Sequence, residues 1–393
     1  MQDFDGEHPS FRVLATPGSR KLAIFFSGTN KTDGQFDFWG YVHSQVAANI
    51  LLVNNGAGNH WYQLGVPGLG NSVETTVESI REIGRRLGAD RIYTIGASMG
   101  GSGAVLYGAL LGGRVLGFSF ETRLRAPGSR SAKYIPADLA LPYPDLLPLM
   151  QAGAADILGI YGEADPVDMV EAVRVRDVRG VQLITMRGVD HGVPRYLRSR
   201  NRLAPLLDAF LADDALPDLP ERDDGADVPG FAEALYAAHR ALAARNTSAA
   251  MTAASEAVTL RRTSDHAQML LGKSLMRAGR FEVAMLHLGL ALALAPDNPE
   301  TRTLLGSCMR KLGRSDHAIA FHEETLRRWP DYARAHYEIG LAHLGGGRTL
   351  PAVAALRQAC ALAPGDKTFA ARLAKIERAA SAEVQPALRP APP

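Results

Sequence analysis

Three stretches in the first half of this chain carry the residue types, in the settings, that acyl-transfer chemistry needs. Ser98 lies in Gly96-Ala97-Ser98-Met99-Gly100, directly after the apolar run Arg91-Ile92-Tyr93-Thr94-Ile95 and directly before a small-residue segment. That setting predicts a serine on a sharp strand-to-helix turn. Such a turn crowds strand against helix, so the positions two before and two after the serine must be nearly free of side chain. Glycine fills both. Beyond the strand-like run 156–162 comes an acidic group, Glu163, Asp165 and Asp168, and beyond the strand-like run 181–186 comes Asp190-His191-Gly192. A serine hydroxyl is a poor nucleophile at neutral pH, so it needs an imidazole to take its proton and a carboxylate to fix that imidazole's tautomer.

Serine, acid and histidine follow in that chain order, each past the carboxyl end of its own strand, and on these motifs residues 10–211 resemble the α/β-hydrolase superfamily. The resemblance implies a mostly parallel sheet flanked by helices, with Ser98 as nucleophile and His191 as base. It implies Asp165 as the acid, because Gly162-Glu163-Ala164-Asp165-Pro166 is similar to the family's post-strand acid turn; Asp168 and then Glu163 are the alternatives. It also implies an oxyanion hole built from the backbone amide of Met99 and from Thr29 or Gly28 in Phe25-Phe26-Ser27-Gly28-Thr29. Here serine stands where the family commonly has histidine before the glycine. The expected substrate is an ester- or acyl-bearing small molecule or glycan, and hydrolase and acyltransferase share the machinery.

Two further segments could shape that site. The run 54–62 mixes amide and aromatic side chains, which suits a sugar or other polar ligand, and Asn55, His60 and Trp61 are its candidate contacts. Residues 122–150 carry Arg123, Arg125, Arg130 and Lys133 among many prolines. A short cap of that charge would favour an anionic substrate, with Arg123 as the candidate contact. No cofactor is expected: Trp61 stands where a dinucleotide fingerprint starting at Gly56 needs its third glycine, and no phosphate-binding G-x-x-x-x-G-K-[ST] occurs. No metal is expected either, since histidines and cysteines lack ligand spacing.

The elements that must position these residues alternate. Apolar runs at 11–15, 21–27, 49–54, 91–96, 114–121, 156–162 and 181–186 predict strands, and 72–87 predicts a helix capped by Asn71 with Glu74 and ended by Gly88. A chain of 393 residues, 46% hydrophobic and 21% charged, has room for two domains with real cores. Its net charge of +2, with no basic stripe, gives nucleic acid little to hold. Two cysteines, Cys308 and Cys360, fit a reducing compartment better than a disulfide scaffold. An acidic amino terminus without an apolar leader, and the lack of eighteen consecutive apolar residues, predict no membrane span and a cytoplasmic protein.

The expected boundaries are 1–211 for the hydrolase-like domain, 212–230 for an acidic, proline-bearing linker, 231–380 for a second domain and 381–393 for a disordered tail. The second domain repeats. Pro296, Pro330 and Pro364 are spaced by 34 residues, as are Gly272, Gly306 and Gly340, then Gly279, Gly313 and Gly347, then Ala250, Ala284, Ala318 and Ala352. These series resemble the tetratricopeptide repeat, with units near 229–262, 263–296, 297–330 and 331–364 and a final helix. In the first unit Arg262 replaces the proline and Arg245 the turn glycine. The resemblance implies an all-α solenoid with a groove for a protein or peptide partner. An alternative reading therefore makes the whole chain a non-catalytic scaffold, with the sheet domain as its platform.

Overall fold

The seven apolar runs of the first half form strands in a computed structural model that describes residues 8–29, 31–42, 47–153 and 155–384; residues 1–7 and the tail from 385 onward lie outside it. They are β1 (Phe11–Leu14), β2 (Lys21–Phe26), β3 (Asn49–Val53), β4 (Arg91–Ala97), β5 (Arg114–Phe118), β6 (Asp156–Gly162) and β7 (Val181–Met186). A two-residue β8 (Arg222–Asp223), too short to leave a periodic signal, completes a sheet of order β1-β3-β2-β4-β5-β6-β7-β8. The six strands from β3 to β7 in that order run parallel, and the edge strands β1 and β8 are antiparallel. Parallel strands need crossovers, and the chain supplies α1 (Trp39–Val42), α2 (Val73–Arg86), α3 (Met99–Leu111), α4 (Ser131–Tyr134), α5 (Leu147–Gln151), α6 (Pro166–Arg176), α7 (Val193–Ser199) and α8 (Leu203–Ala212). Every parallel strand therefore ends at one edge, and the loops after β2 to β7 gather there.

Helices cover the sheet, so its central strands are continuously apolar rather than alternating. Leu22, Ala23, Ile24, Phe25 and Phe26 are all fully buried. Phe25, Ile95, Phe118, Ile160 and Ile184 pack with Leu206 and Phe210 of α8, while Phe26 meets Tyr62 and Tyr107. The start of α2 differs from the sequence reading by one residue. Ser72 is its cap, accepting from the Thr75 amide at 3.2 Å while Thr75 reaches back to Ser72, so neither Asn71 nor Glu74 does this work.

The acidic segment 212–230 is not a free linker. Asp213 accepts from Tyr93 at 2.6 Å and from Arg114 at 2.9 Å, Glu221 pairs with Arg202 at 2.7 Å, and Leu219 and Ala226 are buried. Composition misled because each of these carboxylates finds a donor on the sheet domain, and β8 adds a strand to it. The first compact unit accordingly runs to Tyr236.

The second unit starts at Ala237, within α9 (Phe231–Ala243). It continues through α10 (Thr247–Leu260), α11 (Asp265–Arg277), α12 (Phe281–Leu294), α13 (Pro299–Lys311), α14 (Ser315–Arg328), α15 (Ala333–Gly345), α16 (Thr349–Leu362) and α17 (Lys367–Val384). The 34-residue series are its geometry. Gly279, Gly313 and Gly347 turn each pair with φ of 72–77°, and Arg245 adopts φ 57° at the equivalent point. A Cβ on Gly272 or Gly340 would meet Leu288 or Leu356 at 2.6 and 2.8 Å, which is why glycine stands where paired helices touch. Cys308 is buried as a small core residue. Among the described residues no helix is long and apolar enough to cross a membrane.

Candidate functional site

Ser98 sits where β4 passes into α3, with φ 56° and ψ −122°, a conformation that L-residues hold only under strain. Its neighbours permit nothing larger. A Cβ on Gly96 would lie 2.1 Å from the Gly100 carbonyl oxygen, and one on Gly100 would lie 2.2 Å from that of Phe26. The Ser98 amide donates to the Phe118 carbonyl at 2.8 Å, tying the turn to β5. As the first residue of α3, Met99 has no carbonyl one turn back inside its helix, so its amide belongs to the donor set of a helix start. Met99 is buried, and its sulfur accepts from Asn55 Nδ2 at 3.7 Å.

Past β6 and β7 the structure brings Asp165, Asp168 and His191 together, with their ligand atoms all within 4.8 Å of one another. Asp168, not Asp165, is the carboxylate on His191: its Oδ1 lies 2.8 Å from Nδ1. The expectation for Asp165 fails because that side chain caps α6. It accepts from the Val167 and Asp168 amides at 3.0 and 3.1 Å and also pairs with Arg130. Glu163 is turned away, accepting from Thr185 and the Gly225 amide. Burial opposes charge on Asp165, but the Arg130 guanidinium holds its carboxyl below the usual range. Burial, and then the Asp165 charge, push Asp168 upward against the pull of His191 and Arg130. The donor set Asp165, Asp168 and His191 has the span of a cation site, yet Arg130 already pairs with both carboxylates.

His191 Nε2 is buried and has no hydrogen-bond partner among the described residues. The Ser98 hydroxyl is therefore not bonded to it, and the expected serine–histidine contact is not formed in this structure. Both residues lie at the same sheet edge, three strands apart.

The oxyanion assignments change too. The Gly28 amide donates to Asp37 Oδ2 at 2.8 Å, so Gly28 is already committed; Met99 and Thr29 are the remaining candidates. The Asp37 amide donates to Ser27 Oγ at 3.0 Å, and Asp37 pairs with Lys31 at 2.7 Å. This loop is set by an aspartate that the sequence reading did not single out.

Among the substrate candidates, Asn55 is buried and its Oδ1 is without a partner among the described residues. Asn59, Trp61 and Tyr62 all take positive φ, which packs Trp61 and Tyr62 inward. The Trp61 ring stands 6.0 Å from Tyr134 of α4. His60 Nδ1 accepts from the Leu64 amide at 3.3 Å, and burial lowers its pKa. Arg123 is exposed, its backbone forms an isolated antiparallel bridge with that of Asp145, and it does not join the acidic cluster. Arg125 binds the carbonyls of Ala137 and Leu139, and Arg130 is held by two aspartates. Arg125 and Arg130 are thus taken up by the segment's own carbonyls and by two aspartates rather than forming a basic cap. Arg130 was visible only as one basic residue among several, because nothing local in sequence points to Asp165 and Asp168.

The second unit defines a class: it is a tetratricopeptide solenoid. A family profile described as tetratricopeptide repeat matches residues 235–299 and 303–367, both beyond the sheet. The chain is similar to the Hsp70-Hsp90 organizing protein of Triticum aestivum, at 36% identity over 111 residues, covering 28% of this chain and about a fifth (19%) of that protein. Similar solved structures include YrrB, described as a TPR protein with an unusual peptide-binding site (19% identity, 46% of this chain, 88% of that chain, TM-score 0.33). MamA from Desulfovibrio magneticus RS-1 is another (19% identity, 39% and 86%, TM-score 0.33).

Proposed function

We propose that this chain couples a protein-docking solenoid to a serine-dependent acyl hydrolase or acyltransferase of the α/β-hydrolase type. The docking half rests on the repeat match; helical repeats of this class offer an extended groove to a peptide or a partner's helix. The catalytic half rests on one observation above others: Ser98 is held in a strained turn that only Gly96 and Gly100 permit, at the sheet edge that also carries the Asp168–His191 pair. Strain of this kind is kept where it serves a site. The sheet order from β1 to β7, with its antiparallel first strand, also suits the superfamily.

In this reading Ser98 Oγ attacks an acyl carbonyl and His191 Nε2 takes the hydroxyl proton. Asp168 holds Nδ1–H and stabilises the imidazolium, and the amides of Met99 and Thr29 receive the oxyanion. The tetrahedral intermediate then breaks the ester C–O bond, the imidazolium protonating the departing alcohol oxygen, and water or a second hydroxyl, deprotonated in turn by His191, takes the acyl group and frees Ser98. A panel of short acyl esters and acylated sugars tests it: turnover by the wild type and none by Ser98→Ala supports the enzyme.

The second reading, a scaffold whose sheet domain is a platform, is favoured by the missing Ser98–His191 hydrogen bond. It predicts peptide or protein binding through residues 235–367 and no turnover of any ester.

A further inference from the structure

We propose that Arg130 is a positioning residue for the Asp168–His191 pair, and that its division between Asp165 and Asp168 sets the charge the imidazole feels. The assignment builds on the acyl-transfer reading of the same site. It starts from a residue with no part in that reading, Glu121. This buried carboxylate directly follows the turn after β5 and is satisfied by three groups of the next segment. The Arg130 amide donates to Oε1 at 2.7 Å, the Ser131 amide to Oε2 at 3.1 Å, and the Ser131 hydroxyl to the same oxygen. Because a buried carboxylate cannot give up its donors cheaply, these bonds fix the backbone at Arg130.

From that anchor the guanidinium forks. One nitrogen pairs with Asp165 and the other lies 3.4 Å from Asp168 Oδ1, the same oxygen that holds His191 Nδ1 at 2.8 Å. A planar fork on two carboxylates is a task for arginine rather than lysine. Asp168 is 2% exposed and its Oδ2 finds no partner among the described residues, so Arg130 and His191 are what keep this carboxylate in place. With the imidazole neutral, Asp165 and Asp168 exceed Arg130 by one negative charge, and Glu121, which also acts on the guanidinium, adds a second. A proton on His191 offsets one of the two. On the imidazole's own loop and helix, Asp190 and Arg195 are exposed and pair with each other at 3.2 Å.

The shared oxygen puts the guanidinium nitrogen within about 6 Å of the imidazole. At an effective dielectric constant of 20–40 a unit charge at that distance moves a titration by about one to two pH units. Arg130→Gln therefore favours the protonated imidazole about 10- to 100-fold relative to the wild type, and Asp165→Asn disfavours it by a similar factor. Asparagine keeps the oxygen that caps α6. The double variant returns close to the wild-type value, and Arg130→Lys, which keeps the charge, stays within about half a unit of it.

The readout is NMR titration of histidine ring signals in the full chain, with His191→Ala identifying the resonance. Opposite shifts that cancel in the double variant support the assignment. Shifts in the same direction, or a single variant that moves the titration by less than about 0.3 units, overturn it. Should Arg130→Gln fail to fold, Asp165→Asn and the double variant carry the same test. The readout needs no turnover: shifts without ester hydrolysis overturn the acyl-transfer reading alone, and hydrolysis without shifts overturns the Arg130 assignment alone.

Discussion

His322 gives the second unit an acid-sensitive core, and its replacement by leucine has a calculable outcome. The ring sits on α14 against Gly306, where a Cβ would meet it at 2.5 Å, in the place that Leu288 and Leu356 take in adjacent repeats. It is fully buried, and neither ring nitrogen has a hydrogen-bond partner among the described residues. Burial is the main force pushing its pKa down, to about 4; Arg310 and Arg334 add to this, and Glu338 opposes it. An unfolded histidine titrates near 6.5. Above that pH both states are neutral. Between pH 6.5 and 4 the unfolded chain takes a proton that the folded chain refuses, so stability is lost as pH falls, by about 2 kcal/mol at pH 5. His322→Leu removes that loss and, by replacing an unsatisfied buried imidazole with an apolar side chain of similar size, adds about 1–2 kcal/mol at neutral pH. Hydrogen exchange read by mass spectrometry in α13 to α15, at pH 7.5 and 5.0, measures both terms. Beyond the intrinsic pH effect, the wild type loses roughly 30-fold more protection than the variant. Equal losses in the two proteins would show that the folded imidazole is not held neutral.

Three other outcomes follow from the same geometry. Gly100→Ala drives a methyl into the Phe26 carbonyl and lowers the thermal midpoint of the sheet unit by an amount corresponding to at least about 3 kcal/mol, visible by calorimetry. Arg245→Gly relieves the left-handed backbone that the other repeats assign to glycine, and raises the urea midpoint of the solenoid by an amount corresponding to about 0.5–1 kcal/mol. If an ester substrate is turned over, Asp168→Asn lowers kcat about 10³- to 10⁴-fold and Asp165→Asn far less, since only Asp168 touches the imidazole.

How much of this was legible depends on how local each signal is. The turn at Ser98 could be read because its requirement, glycine two places either side, lies within five residues, and the structure shows why in the two backbone clashes. The repeats could be read because one spacing of 34 is written several times, down to the arginine that stands for a glycine at 245. The acid on His191 could not. Asp165 and Asp168 both begin α6, and which of them faces the imidazole is decided by a cap and by Arg130, whose partners lie 35 and 38 residues away. The segment 212–230 was misread for the same reason: its acidic composition suggests solvent, but Lys21, Arg114 and Arg202 were waiting on distant elements. Of the two open candidates Thr29 and Gly28, the Gly28 amide is occupied by Asp37, nine residues on, through a loop bond that no spacing rule encodes.

The proposed function makes Ser98 an activated nucleophile and His191 its base, although the two are not hydrogen-bonded in this structure. Reaction with a fluorophosphonate, followed by intact mass and peptide mapping, tests that most directly. The expected outcome is a single adduct on Ser98 of the wild type, none on Ser98→Ala, and a rate at least about 100-fold lower in His191→Ala. A wild type that stays unlabelled, or a His191→Ala variant that labels at the wild-type rate, would contradict it.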